Sequence, residues 1–325
     1  MALLLVLLGA LAAACSQGDG AAGERLRVVA TIAPITSIVE NVGGDRIDLQ
    51  GLIPEGTNPR TFEPTPSDLR LLSRADLIVA NGLNLEGPTL EQAESGKRQD
   101  ARILRLGDSA LREEPPIFDP AVPPESGTPN PYLWLDPHDA MAYARLVRDA
   151  LVELDPENAP VYQANTDRYL ARLAVLDRAI QEAVGTIPPE GRRLLTYHDF
   201  WAYFARRYGL EVISAVRLPD FSEPSPQDVE RVIEQIRRER VPVVFGSEAF
   251  PSEVLQQIAR ETGAQYIDKL RGDDLPGKPG DPRHSYVGLM LENVEIMIPA
   301  LGGRVDALAA VDPANVTTGN ARYPQ

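Results

Sequence analysis

The sequence predicts an α/β protein with two lobes, each built on a parallel or mixed sheet, joined by one long rigid helix. Short β-branched runs alternate with segments of helical spacing in both halves of the chain. A much longer helical pattern lies between the halves, and one seven-residue phrase occurs once in each of them. Such alternation is typical of sheets covered by helices.

The predicted elements of the two halves are similar. Apolar and β-branched composition indicates strands at 27–32, 47–53, 76–82, 192–197, 210–216, 241–247 and 264–268. Helical spacing and end signals indicate helices at 34–44, 66–75, 137–154, 199–208, 226–239, 252–262 and 281–303. The proline-rich segment 113–131 has no periodicity and is predicted to be a loop.

The segment 155–185 carries apolar residues close to helical spacing. A helix of about 29 residues is roughly 43 Å long, beyond the usual range of about 8–20 residues in globular proteins. No heptad is sustained along it, so a coiled coil is not indicated. We interpret this helix as a rigid strut between the lobes.

The repeated phrase reads EPTPSDL at 63–69 and EPSPQDV at 223–229. In each copy a hydroxyl residue, Thr65 or Ser225, precedes a proline and stands three positions before an aspartate. This spacing predicts a capping box with proline at the first helical position. Two independent helix starts would give the same pattern, but the shared Glu-Pro favours a structural duplication.

The N-terminus reads MALLLVLLGALAAA and is followed by Cys15, the single cysteine of the chain. The apolar run is too short to span a bilayer and ends in small residues, as signal peptides do. The cysteine after it resembles the lipobox of bacterial lipoproteins; the alternative is a signal peptide with an incidental cysteine. The predicted division is signal peptide 1–15, tether 16–24, first lobe 25–154, linking helix 155–186, second lobe 187–303 and tail 304–325.

Charge excludes one class of partner. The formal net charge of −15 argues against nucleic acid, because phosphate binding needs clustered Lys and Arg. In open α/β sheets, ligands bind outside the carboxyl ends of the strands. The residues predicted at such ends are Arg60, His198, Glu248 and Asp268.

The chain resembles the solute-binding proteins of bacterial metal ABC transporters, in the zinc and manganese cluster that includes the ZnuA and PsaA types. The resemblance is carried by residues 28–86, by PNPYLWLDPHDAMAYA at 129–144, by YHDFWAYFARRYGLEV at 197–212 and by 241–301. It implies a metal cleft between two lobes, with two ligands from each lobe. It also implies an ABC permease with its cytoplasmic ATPase as partner and an extracytoplasmic, lipid-anchored monomer without enzymatic activity.

The ligand positions of the family are only partly kept. The resemblance places the two second-lobe ligands at His198 and Asp268, whereas Arg60 and Tyr132 stand where the family has its first-lobe histidines. Arg60 has no acceptor, and a unit positive charge repels a dication at 4 Å by about 8 kcal/mol in a partly screened site. It either swings out toward a carboxylate such as Glu63 or prevents the binding of a bare dication.

Other side chains are candidates to complete the ligand set. Tyr132 offers a phenolic oxygen, and His284 and Glu248 are further candidates from the second half. One or two imidazoles with carboxylates suit Mn²⁺ or Fe²⁺ as well as Zn²⁺. The transported ligand is therefore predicted to be a divalent metal, Zn or Mn.

Two alternatives remain open at this stage. The first is a repurposed pair of lobes that binds an anion or a chelated metal through Arg60, or that acts as an adhesin. The second is an esterase, since Gly107-Asp108-Ser109 and Asp281-Pro-Arg-His284 resemble the GDS and D-x-x-H blocks of such enzymes. Against an esterase, the GDS block should follow the first strand, and here it follows about three.

Overall fold

Each half of the chain forms a four-stranded sheet in which every paired strand is parallel. The structure, a computed structural model, describes residues 25–111, 115–118, 127–196, 200–215, 225–247 and 252–324. The strands are β1 Leu26–Ala30, β2 Ile47–Gly51, β3 Leu77–Ala80, β4 Arg102–Arg105, β5 Arg193–Thr196, β6 Glu211–Ala215, β7 Val243–Ser247 and β8 Gln265–Leu270. The sheet orders are β2-β1-β3-β4 and β6-β5-β7-β8. The second half therefore repeats the topology of the first, and the predicted fold is confirmed.

The helices lie between the strands and cover the sheets. They are α1 Ala33–Gly43, α2 Pro66–Arg74, α3 Gly87–Gly96, α4 Leu106–Ala110, α5 Pro137–Leu154, α6 Ala159–Gly185, α7 Ala202–Tyr208, α8 Pro226–Glu239, α9 Glu253–Thr262 and α10 Tyr286–Ala300. The helix predicted over 137–154 is α5, with the same bounds. The strand β4 and the helices α3 and α4 were not predicted. β4 reads RILR and pairs only with β3, so as an edge strand it needs no continuous apolar run.

The repeated phrase forms a capping box in both lobes, as predicted. The Thr65 hydroxyl accepts a hydrogen bond from the Asp68 backbone N–H, and the Asp68 carboxylate accepts from the Thr65 N–H at 2.8 Å. Ser225 and Asp228 repeat both bonds at the start of α8. The two helices α2 and α8 each join the second and third strand of their sheet. Because the phrase occupies the same place in two sheets of the same topology, a structural duplication is supported.

The long helix α6 covers 27 residues and is preceded by a 3-10 turn over Pro156–Asn158. This helix is not an isolated connection between the lobes, because one of its faces packs against α5, α1 and α10. That face buries Tyr162, Tyr169, Leu173 and Ile180. Because α6 packs against several helices and not along a single partner helix, a sustained heptad is not expected. Within the described residues, no helix has the length and apolar composition needed to cross a membrane.

The C-terminal tail returns to the first lobe. The Arg322 N–H donates to the Leu49 carbonyl at 3.1 Å, and the Gly51 N–H donates to the Arg322 carbonyl at 2.8 Å. The tail thereby covers the free edge of β2, which would otherwise expose unpaired backbone groups. The α10 helix is also attached to this lobe, since the Tyr286 N–H donates to the Ser37 hydroxyl at 2.9 Å. The domain limits given above stay a prediction.

The capping boxes allow a stability prediction. Replacing Thr65 or Ser225 by Ala removes the acceptor for one backbone N–H at a helix start, and each change should lower the free energy of unfolding by about 1 kcal/mol. The double variant should lose the sum, because the sites lie in different lobes. Urea unfolding followed by circular dichroism measures the changes. Ser95→Ala, inside α3, is the control and should change stability by less than about 0.5 kcal/mol.

Candidate metal-binding cleft

The carboxyl end of the first sheet is occupied by a fully buried carboxylate. Glu86 accepts hydrogen bonds from the Thr31 hydroxyl at 2.6 Å and from the backbone N–H groups of Asn81 at 3.0 Å and Gly82 at 3.1 Å. Burial raises the pKa of Glu86, and these donors lower it in part. The loops after β1 and β3 are therefore tied together by Glu86, whose oxygens are engaged within the lobe.

The two lobes meet through the loop after β2 and the loop after β8. The Gly56 N–H donates to the Asp274 carboxylate at 2.9 Å, and the Leu275 N–H donates to the Glu55 carboxylate at 2.7 Å. A third bond joins the Trp134 indole N–H to the Gly272 carbonyl at 3.0 Å. These bonds bring the first-lobe ligand positions beside the segment that follows β8.

Arg60 lies over the ring of Tyr132. The guanidinium carbon is 5.9 Å from the ring centroid, which is within the range of a cation–π contact. The Nε atom is buried and has no hydrogen-bond partner among the residues that the structure describes. Arg60 therefore points into the cleft, whereas Glu63 is exposed. The structure therefore does not have the outward swing toward Glu63, and the effect of Arg60 on a bare dication stays a prediction.

Tyr132 is buried in an aromatic cluster. Its ring centroid lies 5.1 Å from that of Trp134 and 4.3 Å from that of Phe200, in tilted arrangements. Gly272 packs against the same cluster, and a Cβ atom there would stand 3.1 Å from the Phe200 ring. The aromatic rings thus form a wall that both lobes share.

Asp273 is a candidate site residue that was not predicted from the sequence. Its Oδ1 atom is buried without a hydrogen-bond partner in the described part of the chain, although the residue as a whole is only half-buried. Burial and the neighbouring Asp274 carboxylate raise the pKa of Asp273 to about 7, and the Arg60 charge lowers it in part. The acidic pair in RGDDLPG was the available signal. A carboxylate whose pKa is raised this far by burial and a neighbouring charge is a candidate functional residue.

Asp268 does not lie at the end of a strand as predicted. β8 continues to Leu270, so Asp268 is inside the strand and its side chain is half-buried. The first acidic residues beyond the carboxyl end of β8 are Asp273 and Asp274. The position predicted for Asp268 was therefore wrong, while its role as a metal ligand stays a prediction.

His198, Glu248 and Cys15 lie outside the described residues. In the sequence, His198 follows the last residue of β5 by two positions, and Glu248 directly follows β7. Chain order changes direction between these two strands in the sheet, and ligands of open α/β sheets bind at such a point. Both residues stay predicted ligands.

His284 lies in a cavity of about 380 Å³ between α1, the segment before α10 and the C-terminal tail. Its Nδ1 is 3.3 Å from the Pro276 carbonyl, and its ring is in edge contact with Tyr323 at 4.6 Å. Burial lowers the pKa of His284. The cavity lining also includes Glu40 but none of Arg60, Tyr132, Asp268 and Asp273. The structure therefore does not bring His284 together with those residues, and its role as a ligand stays a prediction.

The described residues alone do not complete a metal site. Within residues 25–111, 115–118, 127–196, 200–215, 225–247 and 252–324, no three His, Cys, Asp or Glu side chains are grouped so as to hold a metal ion. Ser109 of the GDS block donates to the Arg105 carbonyl inside α4. Among the described residues, the cleft thus offers an arginine, a tyrosine and a buried carboxylate: Arg60, Tyr132 and Asp273.

Two parallel-sheet lobes with functional side chains where the lobes meet define a two-lobed α/β binding protein. The chain belongs to the ZnuA family, described as the periplasmic zinc-uptake complex component A, whose sequence model matches residues 28–300. This match spans both lobes and the helix between them.

Three named relatives match this chain along most of their own length. The iron-binding protein YfeA of Yersinia pestis is 32% identical over 291 residues, covering 90% of this chain and 91% of its own length. The manganese-binding lipoprotein MntA of Halalkalibacterium halodurans is 28% identical over 301 residues, covering 92% and 97%. The periplasmic zinc-binding protein TroA of Treponema pallidum is 25% identical with a TM-score of 0.76, covering 86% of this chain and 99% of that one.

The raised pKa of Asp273 predicts a pH dependence in the metal-free protein. Between the ordinary value of 3.8 and the folded value of about 7, the folded state holds a proton that the unfolded state has released. The free energy of unfolding should therefore fall as pH rises through this range and level off above it. Asp273→Asn should remove this component, which urea unfolding at several pH values measures. The exposed Asp45→Asn is the control, and a pH profile of Asp273→Asn parallel to that of the unsubstituted protein would contradict the prediction.

Proposed function

We propose that this chain captures a divalent transition metal outside the cytoplasm and delivers it to the permease of an ABC importer. The observation that carries the proposal is the family match across both lobes, 28–300. The named relatives are iron-, manganese- and zinc-binding proteins. The meeting of the loops after β2 and β8 supports a ligand site between the lobes.

The second lobe supplies the metal ligands in this proposal. They are His198 after β5, Glu248 after β7 and Asp273 after β8. One imidazole with two carboxylates suits Mn²⁺, Fe²⁺ or Zn²⁺, because all three accept mixed nitrogen and oxygen ligands. Asp273 is favoured over Asp268 because a buried oxygen without a partner is available in the cleft. Tyr132 is a further oxygen donor from the first lobe.

Metal binding is coupled to proton release at Asp273. A ligating carboxylate has to be ionised, whereas burial raises the pKa of Asp273 to about 7. Capture near neutral pH therefore displaces a proton from part of the molecules, and affinity falls as pH falls. Release to the permease requires the reverse step, in which the metal leaves these ligands and Asp273 can take up a proton again.

The proposal includes attachment to the membrane through the N-terminus. Lipidation of Cys15 after removal of the signal peptide would hold the protein at the membrane surface near its permease, and residues 16–24 would act as the tether. The ATPase partner would stay on the cytoplasmic side. Monomeric protein suffices for this role.

The anchor is tested by substituting its cysteine. The full-length precursor should incorporate labelled palmitate in a bacterial host and sediment with the membranes, because the acyl chains partition into the bilayer. Cys15→Ser should lose the label and leave the membrane fraction. A Cys15→Ser variant that still incorporates labelled palmitate would contradict lipidation at this residue.

Metal capture is tested by thermal stability of the demetallated protein. Zn²⁺ or Mn²⁺ at a hundred times its dissociation constant should stabilise the folded state by about 2.7 kcal/mol. His198→Ala should abolish the increase in melting temperature, since an imidazole ligand is lost. Differential scanning calorimetry with and without metal measures the effect. If no divalent cation raises the melting temperature under any buffer condition, the proposed function fails.

Two matched variants identify the carboxylate ligand. Asp273→Asn should lower metal affinity at least tenfold, a loss of about 1.4 kcal/mol. Asp268→Asn makes the same chemical change five positions earlier and should have little effect. Isothermal titration with each variant measures the affinities. A loss confined to Asp268→Asn would return the ligand role to Asp268.

A further inference from the structure

The cleft contains two buried polar atoms that lack partners and belong to different lobes. They are the Nε of Arg60 and the Oδ1 of Asp273, and neither is hydrogen-bonded to any described residue. Buried polar groups in native proteins are almost always satisfied, so an unpaired donor and an unpaired acceptor in one cleft call for an explanation. A bound ligand that contacts both atoms would explain why neither has a partner within the protein.

The chemistry of the two groups restricts that ligand. Arg60 is close enough for its charge to act on Asp273, yet Nε and Oδ1 do not pair with each other. A guanidinium only donates hydrogen bonds and an ionised carboxylate only accepts them. A bare dication would bind the ionised Asp273 carboxylate but would be repelled by Arg60. A bare anion would bind Arg60 but would be repelled by the ionised Asp273 carboxylate. A metal that carries an oxyanion satisfies both, with the cation toward Asp273 and the anion toward Arg60.

The surroundings restrict the shape of the anion. The Tyr132 ring lies against the guanidinium, and Phe200 packs against both Tyr132 and Gly272. An arginine fork supported on an aromatic face suits a planar carboxylate, which it binds through two parallel hydrogen bonds.

We propose that the cleft takes up its metal together with a carboxylate-type anion, which binds the metal and accepts hydrogen bonds from Arg60. The anion is carbonate or an organic carboxylate that chelates the metal, and both present the same oxygens to the arginine. The inference rests on the proposed function, because it assumes that a metal enters the cleft. Arg60 thereby determines specificity: it weakens binding of the bare ion and favours the metal–anion pair.

The test measures whether metal and anion bind together. Demetallated protein is titrated with Mn²⁺ at buffered free-metal concentrations in carbonate-free buffer, then with bicarbonate or with citrate added. Either anion that fits should raise Mn²⁺ affinity about tenfold or more, and by reciprocity Mn²⁺ should raise the affinity of that anion by the same factor. Retention of the ¹⁴C-labelled anion after gel filtration, only when Mn²⁺ is present, is the direct readout. The anion that is retained identifies the source.

Variants at position 60 separate this inference from the proposed function. Arg60→His should bind Mn²⁺ tightly without added anion and should no longer retain the label, because the fork is replaced by a neutral ligand. Arg60→Lys keeps the charge but not the fork and should retain less label. Arg70→His, exposed on α2, is the matched control and should behave as the unsubstituted protein.

The outcomes are distinguishable. Equal Mn²⁺ affinity with and without either anion, and no retained label in the unsubstituted protein, overturns the inference and leaves metal capture intact. Failure to bind Mn²⁺ or Zn²⁺ in every buffer overturns the proposed function itself. Because label retention is measured on the unsubstituted protein, a variant that fails to fold does not affect this decision.

Discussion

Two carboxylates hold the lobes together at the cleft, and each comes from a different lobe. Asp274 accepts the Gly56 N–H, and Glu55 accepts the Leu275 N–H. Hydrogen bonds to ionised groups are stronger than those between neutral groups, so this reciprocal pair fixes the loop after β2 against the loop after β8. Arg60 belongs to the first loop and Asp273 to the second. The geometry of the cleft therefore depends on this contact.

The carboxylates of Glu86 and Asp273 are both buried but have different hydrogen-bonding environments. Glu86 receives three donors within its own lobe and serves the structure of the loops after β1 and β3. The Oδ1 atom of Asp273 and the Nε atom of Arg60, in contrast, have no hydrogen-bond partner among the described residues. A buried polar group without a hydrogen-bond partner lowers the free energy of unfolding. This loss is offset at a binding site when the ligand provides the missing partner. The contrast separates a structural carboxylate from one available for binding.

Local signals in the sequence predicted much of the fold. The capping boxes at Thr65 and Ser225 were predicted correctly because their bonds span only three residues. The apolar strands β1 and β3 are wholly or mostly buried, so their composition identified them. The strand β4 was missed because an edge position tolerates charged residues. The predicted end of β8 lies two residues before the observed end, so Asp268 and not Asp273 was predicted at the carboxyl end of this strand.

By itself the sequence determined the alternation of elements, the duplicated helix starts, the family resemblance and the replacement of both first-lobe histidines by Arg60 and Tyr132. Only the tertiary structure decided that Arg60 points inward, that Asp273 faces the same cleft and that His284 lies beside the C-terminal tail. The reason is the sequence separation over which each interaction acts. Caps and periodicity act within a few residues, whereas the bond between Gly56 and Asp274 joins residues 218 positions apart. Which side chains share a cleft is set by such contacts, and no local pattern encodes them.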